Sequence, residues 1–276
     1  MTLIEASLGE LIADLQKKHG RDLSNYRLSC LQRRVALRMS VLSLSTLDQY
    51  MTRLADDPGE IDRLLDAVTI HVTEFFRDQD VFEAISNDIL PATVERKHHS
   101  PSRTIRFWSA GCSTGEETYS LAIITLQYLQ KHDVDLDLEI YGTDISKEAC
   151  TFARAGVYPE RKIERIPVGL RQEYFEPVED GFIVAADVKR RVRFSVHDLF
   201  SAPPLSLLDI VMCRNVLIHF NNAVRNDVLG RFHTSLEDSG ILILGKSEAV
   251  MGTALKLYRL IDPRNKIYQK IILRSS

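Results

Sequence analysis

The densest grouping of residues able to do chemistry runs from Ile105 to Ser120, I-R-F-W-S-A-G-C-S-T-G-E-E-T-Y-S. An apolar run (Ile105, Phe107, Trp108) enters a small-residue loop, Ser109 to Gly115, and two carboxylates, Glu116 and Glu117, open an apolar-periodic helix. Strand, glycine loop and helix is how α/β proteins bring backbone close to a nucleotide-like ligand at a sheet's carboxyl edge. The loop is not G-x-G-x-x-G, and acids at the helix start would repel a pyrophosphate. A ligand with an adenosine end and a cationic end suits it, and S-adenosylmethionine (SAM), with a sulfonium and an amino group, fits that description. Gly111 and Gly115 allow close backbone approach, and Glu117 is placed to accept from a ligand ammonium. On the bland alternative the glycines make a tight turn and the acids favour the helix dipole.

Three further groups belong with this loop. Asp144 ends a second strand in I-Y-G-T-D-I-S; an acid there hydrogen-bonds both ribose hydroxyls in folds of this kind. It could instead cap the next helix, but Ser146 can take that role and leave Asp144 free. His71, Thr73 and Arg77 stand beside two phenylalanines in T-I-H-V-T-E-F-F-R, where an arginine can anchor a carboxylate bidentately. Arg214-Asn215 follows a buried strand in I-V-M-C-R-N-V-L-I-H-F, a polar pair at the ligand edge, with His219 after it. Arg27, Arg33, Arg34 and Arg38 form a basic stripe, either a solvated helix face or a docking face for an acidic helical partner.

The elements that must carry these residues follow from patterning. Residues 1 to about 85 read as helices: Leu8, Leu11, Ile12 and Leu15 give one apolar stripe, and Leu28, Leu31, Val35 and Met39 a second. Thr46 caps a third helix. Asp57-Pro58-Gly59 reads as a turn before a fourth, Ile61 to Val68. Beyond it strands alternate with helices: 105–110, 116–131, 138–142, 146–155, 208–213, 222–236 and 241–244, then an antiparallel hairpin, 257–261 and 266–273. Such alternation predicts an α/β doubly wound, mainly parallel sheet. Two short β-rich runs, 181–185 and 192–196, predict a small antiparallel insertion spanning about 172–196. The predicted domains are 1–85 and 86–276.

Composition bounds the partners. The 276 residues carry a net charge of −3, so no nucleic-acid partner is expected. There is no apolar run long enough for a membrane span and an acidic, amphipathic N-terminus in place of a signal peptide, so a cytoplasmic protein is expected. Cys30, Cys112, Cys150 and Cys213 are far apart and lack C-x-x-C spacing, which predicts free thiols and no metal.

Together these pieces resemble the chemotaxis receptor methyltransferase (CheR) family, SAM-dependent glutamate O-methyltransferases. The resemblance covers nearly the whole chain: R-L-S-C-L-Q-R-R-V-A-L-R-M in the helical region, V-T-E-F-F-R-D at Val72–Asp78, W-S-A-G-C-S-T-G-E-E at Trp108–Glu117, T-D-I-S at Thr143–Ser146 and C-R-N-V-L-I at Cys213–Ile218. It implies an all-helical N-terminal domain and a class I SAM-dependent methyltransferase (Rossmann-like) domain with a small antiparallel β-subdomain. It implies a SAM pocket lined by Thr73, Arg77, Glu117, Asp144, Asp198, Leu199, Arg214 and Asn215, with Asp198-Leu199 at the adenine. Three departures stand out: His71 where the family usually has Asn, His219 where it usually has Tyr near the transferring methyl, and Thr118 for a usual Pro.

The reaction so implied is methyl transfer from SAM to glutamate carboxylates of a chemoreceptor's cytoplasmic helical bundle, leaving S-adenosylhomocysteine. Arg77 and His219 are the expected catalytic residues, Arg33, Arg34 and Arg38 the docking residues, and a monomer the expected state. Members that tether to a receptor's C-terminal pentapeptide carry a longer glycine-containing loop than Phe175 to Phe182, so tether-independent binding is expected. The rival reading is a non-catalytic SAM-binding receptor module. A base-modifying methyltransferase is disfavoured, because Cys213-Arg214-Asn215-Val216 stands where such enzymes carry N-P-P-Y.

Overall fold

In the computed structural model, residues 3–19, 23–68 and 73–272 are described. They form two compact units: residues 1–71 with 218–225, and residues 72–217 with 226–276. Among the described residues no helix is long and apolar enough to cross a membrane.

The first unit holds α1 (Leu3–His19), α2 (Leu28–Val41), α3 (Leu47–Asp56) and α4 (Pro58–Val68). Leu8, Leu11, Ile12 and Leu15 are buried, as their spacing requires. On α2, Leu31 and Val35 point inward with Cys30, but Leu28 is 46% exposed: it is the first helical residue, and Cys30 takes the inward position instead. Thr46 caps α3 in a reciprocal box with Gln49. Asp57-Pro58-Gly59 is itself a helix start. Pro58 opens α4, where its missing N–H costs nothing, and the Asp57 carboxylate accepts from Gly59 N at 3.1 Å.

The centre of this unit is ionic. Glu60 is fully buried. Its carboxylate accepts from Arg38 at 2.8 and 2.7 Å, from Arg63 Nε at 2.9 Å and from Tyr50 Oη at 3.0 Å. Burial alone would raise its pKa, but these hydrogen bonds prevail and hold it at about 2 against an ordinary 4.5. A depressed carboxylate pKa gives stability that is present above the unfolded value and is lost as pH falls through the folded one. Glu60→Ala takes from Arg38 and Tyr50 the acceptor they share and leaves Arg63 to Asp57, so urea unfolding of the full chain is expected to show a loss of about 3–5 kcal/mol. The wild-type advantage over this variant should be present above pH 4.5 and shrink as pH falls toward 2.

The second unit is built on a seven-stranded sheet of order β6-β2-β1-β7-β8-β10-β9. Its strands are β1 (Thr104–Ala110), β2 (Asp137–Asp144), β6 (Val192–Val196), β7 (Leu208–Cys213), β8 (Leu236–Leu244), β9 (Tyr258–Asp262) and β10 (Ile267–Lys270). The first five are parallel, and β10 and β9 close the edge as an antiparallel hairpin. The helices are α5 (Gln79–Ala84), α6 (Leu90–His98), α7 (Glu116–Lys131), α8 (Lys147–Ala155), α9 (Glu160–Ile163), α10 (Val168–Tyr174), α11 (Ala186–Lys189) and α12 (Asn222–Ser235). β1 and β7 are buried on both faces, which explains their near-continuous apolar runs. The order reverses between β1 and β7, and ligands of open α/β sheets bind at the carboxyl ends beside such a switch point.

Two sequence expectations move. Val192–Val196 is no part of the insertion: it pairs in parallel with β2, Ile140 opposite Val192. The small antiparallel sheet consists of β3 (Val157–Tyr158), β4 (Phe175–Val178) and β5 (Gly181–Val184), in the order β3-β5-β4. Periodicity registers a strand but not its partner, and five residues fit an edge of either sheet. The expected boundary near 85 also shifts, to 71–72. The helical run from α5 through a π turn (Ile85–Ile89) to α6 packs on the sheet, with Phe82, Ile85, Leu90 and Val94 in its core. The π turn ends two residues before Pro91, which has no N–H for the α pattern. At the end of α6, buried Lys97 pairs with buried Asp209 of β7 at 3.0 Å.

Candidate active site

The loop after β1 is tied to the end of β2. Gly111 N and Cys112 N both donate to Thr143 O, at 2.8 and 2.9 Å. Trp108 Nε1 donates to Thr143 Oγ1 at 2.8 Å. Two glycines are required here. Gly111 has φ +78°, and a Cβ would sit 2.4 Å from Val216 Cγ2; Gly115 has φ +95°, and a Cβ would sit 2.8 Å from Ala153 Cβ.

Asp144 is almost buried. One carboxylate oxygen accepts from Ser113 N at 2.8 Å and the other from Ser146 N at 3.0 Å. Ser146 caps α8 through Ala149 N, as expected. Asp144 is therefore engaged rather than free, but each oxygen keeps a second lone pair. Those two acceptors, on a carboxylate at a strand's carboxyl end, suit a vicinal diol.

The two acids of the loop divide their work. Glu116 is fully buried and structural: Thr114 Oγ1 donates to it at 2.6 Å and Lys162 Nζ at 2.8 Å. Lys162 also donates to Thr73 O at 2.9 Å, so Thr73 is positioned through its backbone. Glu117 keeps 13% of its side chain exposed. Ser109 Oγ donates to it at 2.9 Å, and Arg214 Nη1 lies 3.5 Å away. Burial raises its pKa; Arg214, Ser109 and Arg77 oppose that, and the Glu248 charge adds to it.

Arg214 links the loop to the segment 73–78. Its side chain is 1% exposed; Nη1 donates to Arg77 O at 3.0 Å and Nη2 pairs with the Asp78 carboxylate. Phe76 and Asp78 flank Arg77 in the left-handed region, φ 53° and 58°. Ser120 Oγ holds this bend by accepting from Phe76 N at 3.0 Å. Arg77 itself is half-buried and acts electrostatically on Glu117. Asn215, half-buried, is also left-handed at φ 60°. On the far side of Asp144, His197 N donates to Asp144 O at 2.9 Å. Asp198 Oδ1 accepts from Phe200 N at 2.9 Å, fixing Asp198-Leu199 in a turn, both half-buried.

These residues fit SAM. Glu117 offers an anionic partner for an ammonium, Asp144 two acceptors for ribose, and Arg77 a cation for a carboxylate. Arg214 Nε is buried and has no hydrogen-bond partner among the described residues. Also among the described residues, no group of three or more His, Cys, Asp or Glu side chains could hold a metal ion.

His71 lies outside the described residues. His219 belongs to the first unit, where its O accepts from Arg27 N at 2.8 Å and its Nδ1 lies 3.5 Å from Cys30 Sγ. Of the arginines expected to dock a partner, Arg33 is exposed and Arg34 half-buried. Arg38 is a correction: with its side chain 15% exposed and both ends of its guanidinium on Glu60, it serves the interior of the helical unit. All four cysteines are buried free thiols. Sequence reasoning missed Ser109, Ser120, Lys162 and Glu248. None left a usable local signal: even Glu248, a carboxylate beyond a core strand's end, reads as solvated until the neighbouring strand is placed.

Residues 6–69 match the all-alpha domain of CheR methyltransferase, and residues 71–265 match its SAM binding domain. The chain belongs to the CheR methyltransferase family. As a CheR protein it is 31% identical to the chemotaxis protein methyltransferase of Borreliella burgdorferi, over 91% of each chain. It is 32% identical to chemotaxis protein methyltransferase Cher2 of Pseudomonas putida, over 86% of this chain and 88% of that one. It is 28% identical to chemotaxis protein methyltransferase 2 of Vibrio cholerae, over 85% and 82%. The loop, Asp144 and the Glu117–Arg214 cluster all fall within residues 71–265, the part that matches the CheR SAM binding domain.

Proposed function

We propose that this CheR methyltransferase transfers the SAM methyl group to glutamate side-chain carboxylates on the cytoplasmic helices of a chemoreceptor. The observation that carries the reading is the pairing of Glu117 with Arg214 beside Asp144 at the switch point. It matches a zwitterionic amino-acid end and a ribose on one ligand.

SAM supplies an electrophilic methyl on a sulfonium: a carboxylate oxygen bonds to the methyl carbon, the S–C bond breaks, and S-adenosylhomocysteine leaves. A glutamate carboxylate, with a pKa of about 4.3, is already ionised at neutral pH, so no general base is needed. The chain's work is positioning and exclusion of water around a weak nucleophile. Glu117 holds the ammonium, Asp144 the ribose hydroxyls, Asp198-Leu199 the adenine, and Arg77 orients a carboxylate. Thr73, Gly111 and Asn215 complete the lining. Arg33 and Arg34 dock the acidic receptor helices.

The turn between β4 and β5 contains only Glu179 and Asp180. This supports receptor binding without a pentapeptide tether. The matches to proteins named as chemotaxis methyltransferases disfavour a non-catalytic SAM binder. Mass spectrometry of a receptor fragment after incubation with SAM tests the reading: one-methyl increments on glutamates support it, and modification confined to other residue types contradicts it.

At His219 the family usually carries a tyrosine. Burial lowers its pKa below 6.5, and the charges of Arg34, Arg33, Arg27 and Arg225 lower it further. The imidazole is therefore neutral at neutral pH and offers a hydrogen bond as a phenol does. Turnover at saturating SAM is expected to stay flat as pH falls from neutrality to 6.5. The profile of His219→Tyr should coincide with wild type over that window. A fall in the wild-type rate alone, with a midpoint at or above 6.5, would place a charged imidazole in the site.

A further inference from the structure

β7 and β8 end in register, Cys213 opposite Leu244. Beyond that pair the ladder stops, and the N–H groups of Asn215 and Gly245 need another acceptor. One oxygen serves both: Glu248 Oε2 accepts from Asn215 N at 2.9 Å and from Gly245 N at 2.7 Å. Glu248 is 5% exposed, and its own N–H closes a turn onto Gly245 O at 2.8 Å. A Cβ on Gly245 would lie 2.7 Å from Glu248 Oε2 and 2.8 Å from Asn215 N, so the approach requires glycine. Asn215 sits at φ 60°. A non-glycine residue stays in that region when its surroundings over-determine it.

We propose that Glu248 is a positioning residue for methyl transfer, clamping the carboxyl ends of β7 and β8 so that Arg214 and Asn215 are held in their ligand-binding geometry. It acts through their backbone. The proposal rests on the reading of Arg214 and Asn215 as SAM-lining residues. The Glu248 charge is also felt at Glu117, whose pKa it helps to raise, so the clamp is coupled electrostatically to the ammonium site.

The test is SAM binding by calorimetry on the full chain, with melting followed in parallel. Glu248→Ala leaves two buried N–H groups without an acceptor and is expected to weaken SAM binding roughly ten- to hundredfold. Glu248→Asp, one methylene short, should lose affinity similarly, while Glu248→Gln keeps an acceptor oxygen and should bind within a few fold of wild type. Gly245→Ala, which pushes the clamp open, should resemble Glu248→Ala. If Glu248→Ala does not fold, the contrast between the Asp and Gln variants decides. A shift in the acid limb of the rate–pH profile of Glu248→Gln, absent in Glu248→Asp, would add support for the coupling to Glu117.

Melting temperatures that fall while SAM affinity and turnover of the folded variants stay at wild type would make Glu248 merely structural and overturn the proposal. Asp144→Ala is the control. If it weakens SAM binding and the Glu248 and Gly245 variants do not, the SAM site stands and the positioning role falls. If none of these variants changes SAM binding, the site reading falls and the proposal with it.

Discussion

Arg214→Ala is expected to eliminate measurable methyl transfer and to weaken SAM binding strongly. The guanidinium is buried at 1% side-chain exposure. It donates to Arg77 O at 3.0 Å, pairs with Asp78 and stands 3.5 Å from Glu117. Removing it takes their main cation from two partly buried carboxylates, leaving Asp78 to Lys246 at 3.9 Å and Glu117 to the field of Arg77, which costs about 3 kcal/mol. It also frees the bend that carries Arg77. Arg214 is the strongest influence holding the Glu117 pKa down against burial, so its loss lets burial raise that pKa further and weakens the anionic partner offered to the ligand ammonium. Calorimetry should show a loss on the order of a hundredfold or more. Arg214→Lys should rescue little, because a point charge cannot replace a fork that serves a carbonyl and a carboxylate together. Affinity within threefold of wild type in either variant would exclude Arg214 from the site.

The second large effect is at Asp144. Its oxygens already accept from Ser113 N and Ser146 N, and in the proposed complex each also accepts a ribose hydroxyl. Hydrogen bonds to a charged group contribute about 1.5–3 kcal/mol each. Asp144→Ala is thus expected to weaken SAM on the order of a hundredfold to a thousandfold. Asp144→Asn, which keeps one acceptor, should fall between. A 2′-deoxy analogue of SAM separates the ribose contact from loop support. Wild type should discriminate against it, and Asp144→Ala should bind it and SAM equally. Equal discrimination by both proteins would remove Asp144 from the ribose.

Much of this arrangement was legible in the sequence. α7 and β7 have the bounds expected of them, because each is an apolar run bracketed by strong signals: glycine and acids before the helix, a polar pair after the strand. Thr46 and Ser146 cap as their residue types demand. What escaped was pairing over distance. Val192–Val196 reads as a strand, but nothing local says that β2 is its neighbour. Arg38 lies in a basic stripe, and only the fold brings buried Glu60 to it from 22 residues away. Glu116 and Glu117 are adjacent and chemically equivalent on paper. The turn of α7 puts one against Lys162 inside the protein and the other against Ser109 and Arg214 at the ligand edge. Glu248 was passed over because a carboxylate beyond a strand reads as solvated until the strand beside it, Leu208–Cys213, ends at the same level.

The measurement that tests the central claim most directly uses SAM with a labelled methyl group, this protein, and membranes rich in a cognate chemoreceptor. Label that enters receptor protein and is released by mild base as methanol is the result expected of glutamate methyl esters, and Arg214→Ala should abolish it. Label stable to base would place the methyl on nitrogen, sulfur or an ether oxygen. That would contradict carboxyl methylation while leaving SAM-dependent transfer intact.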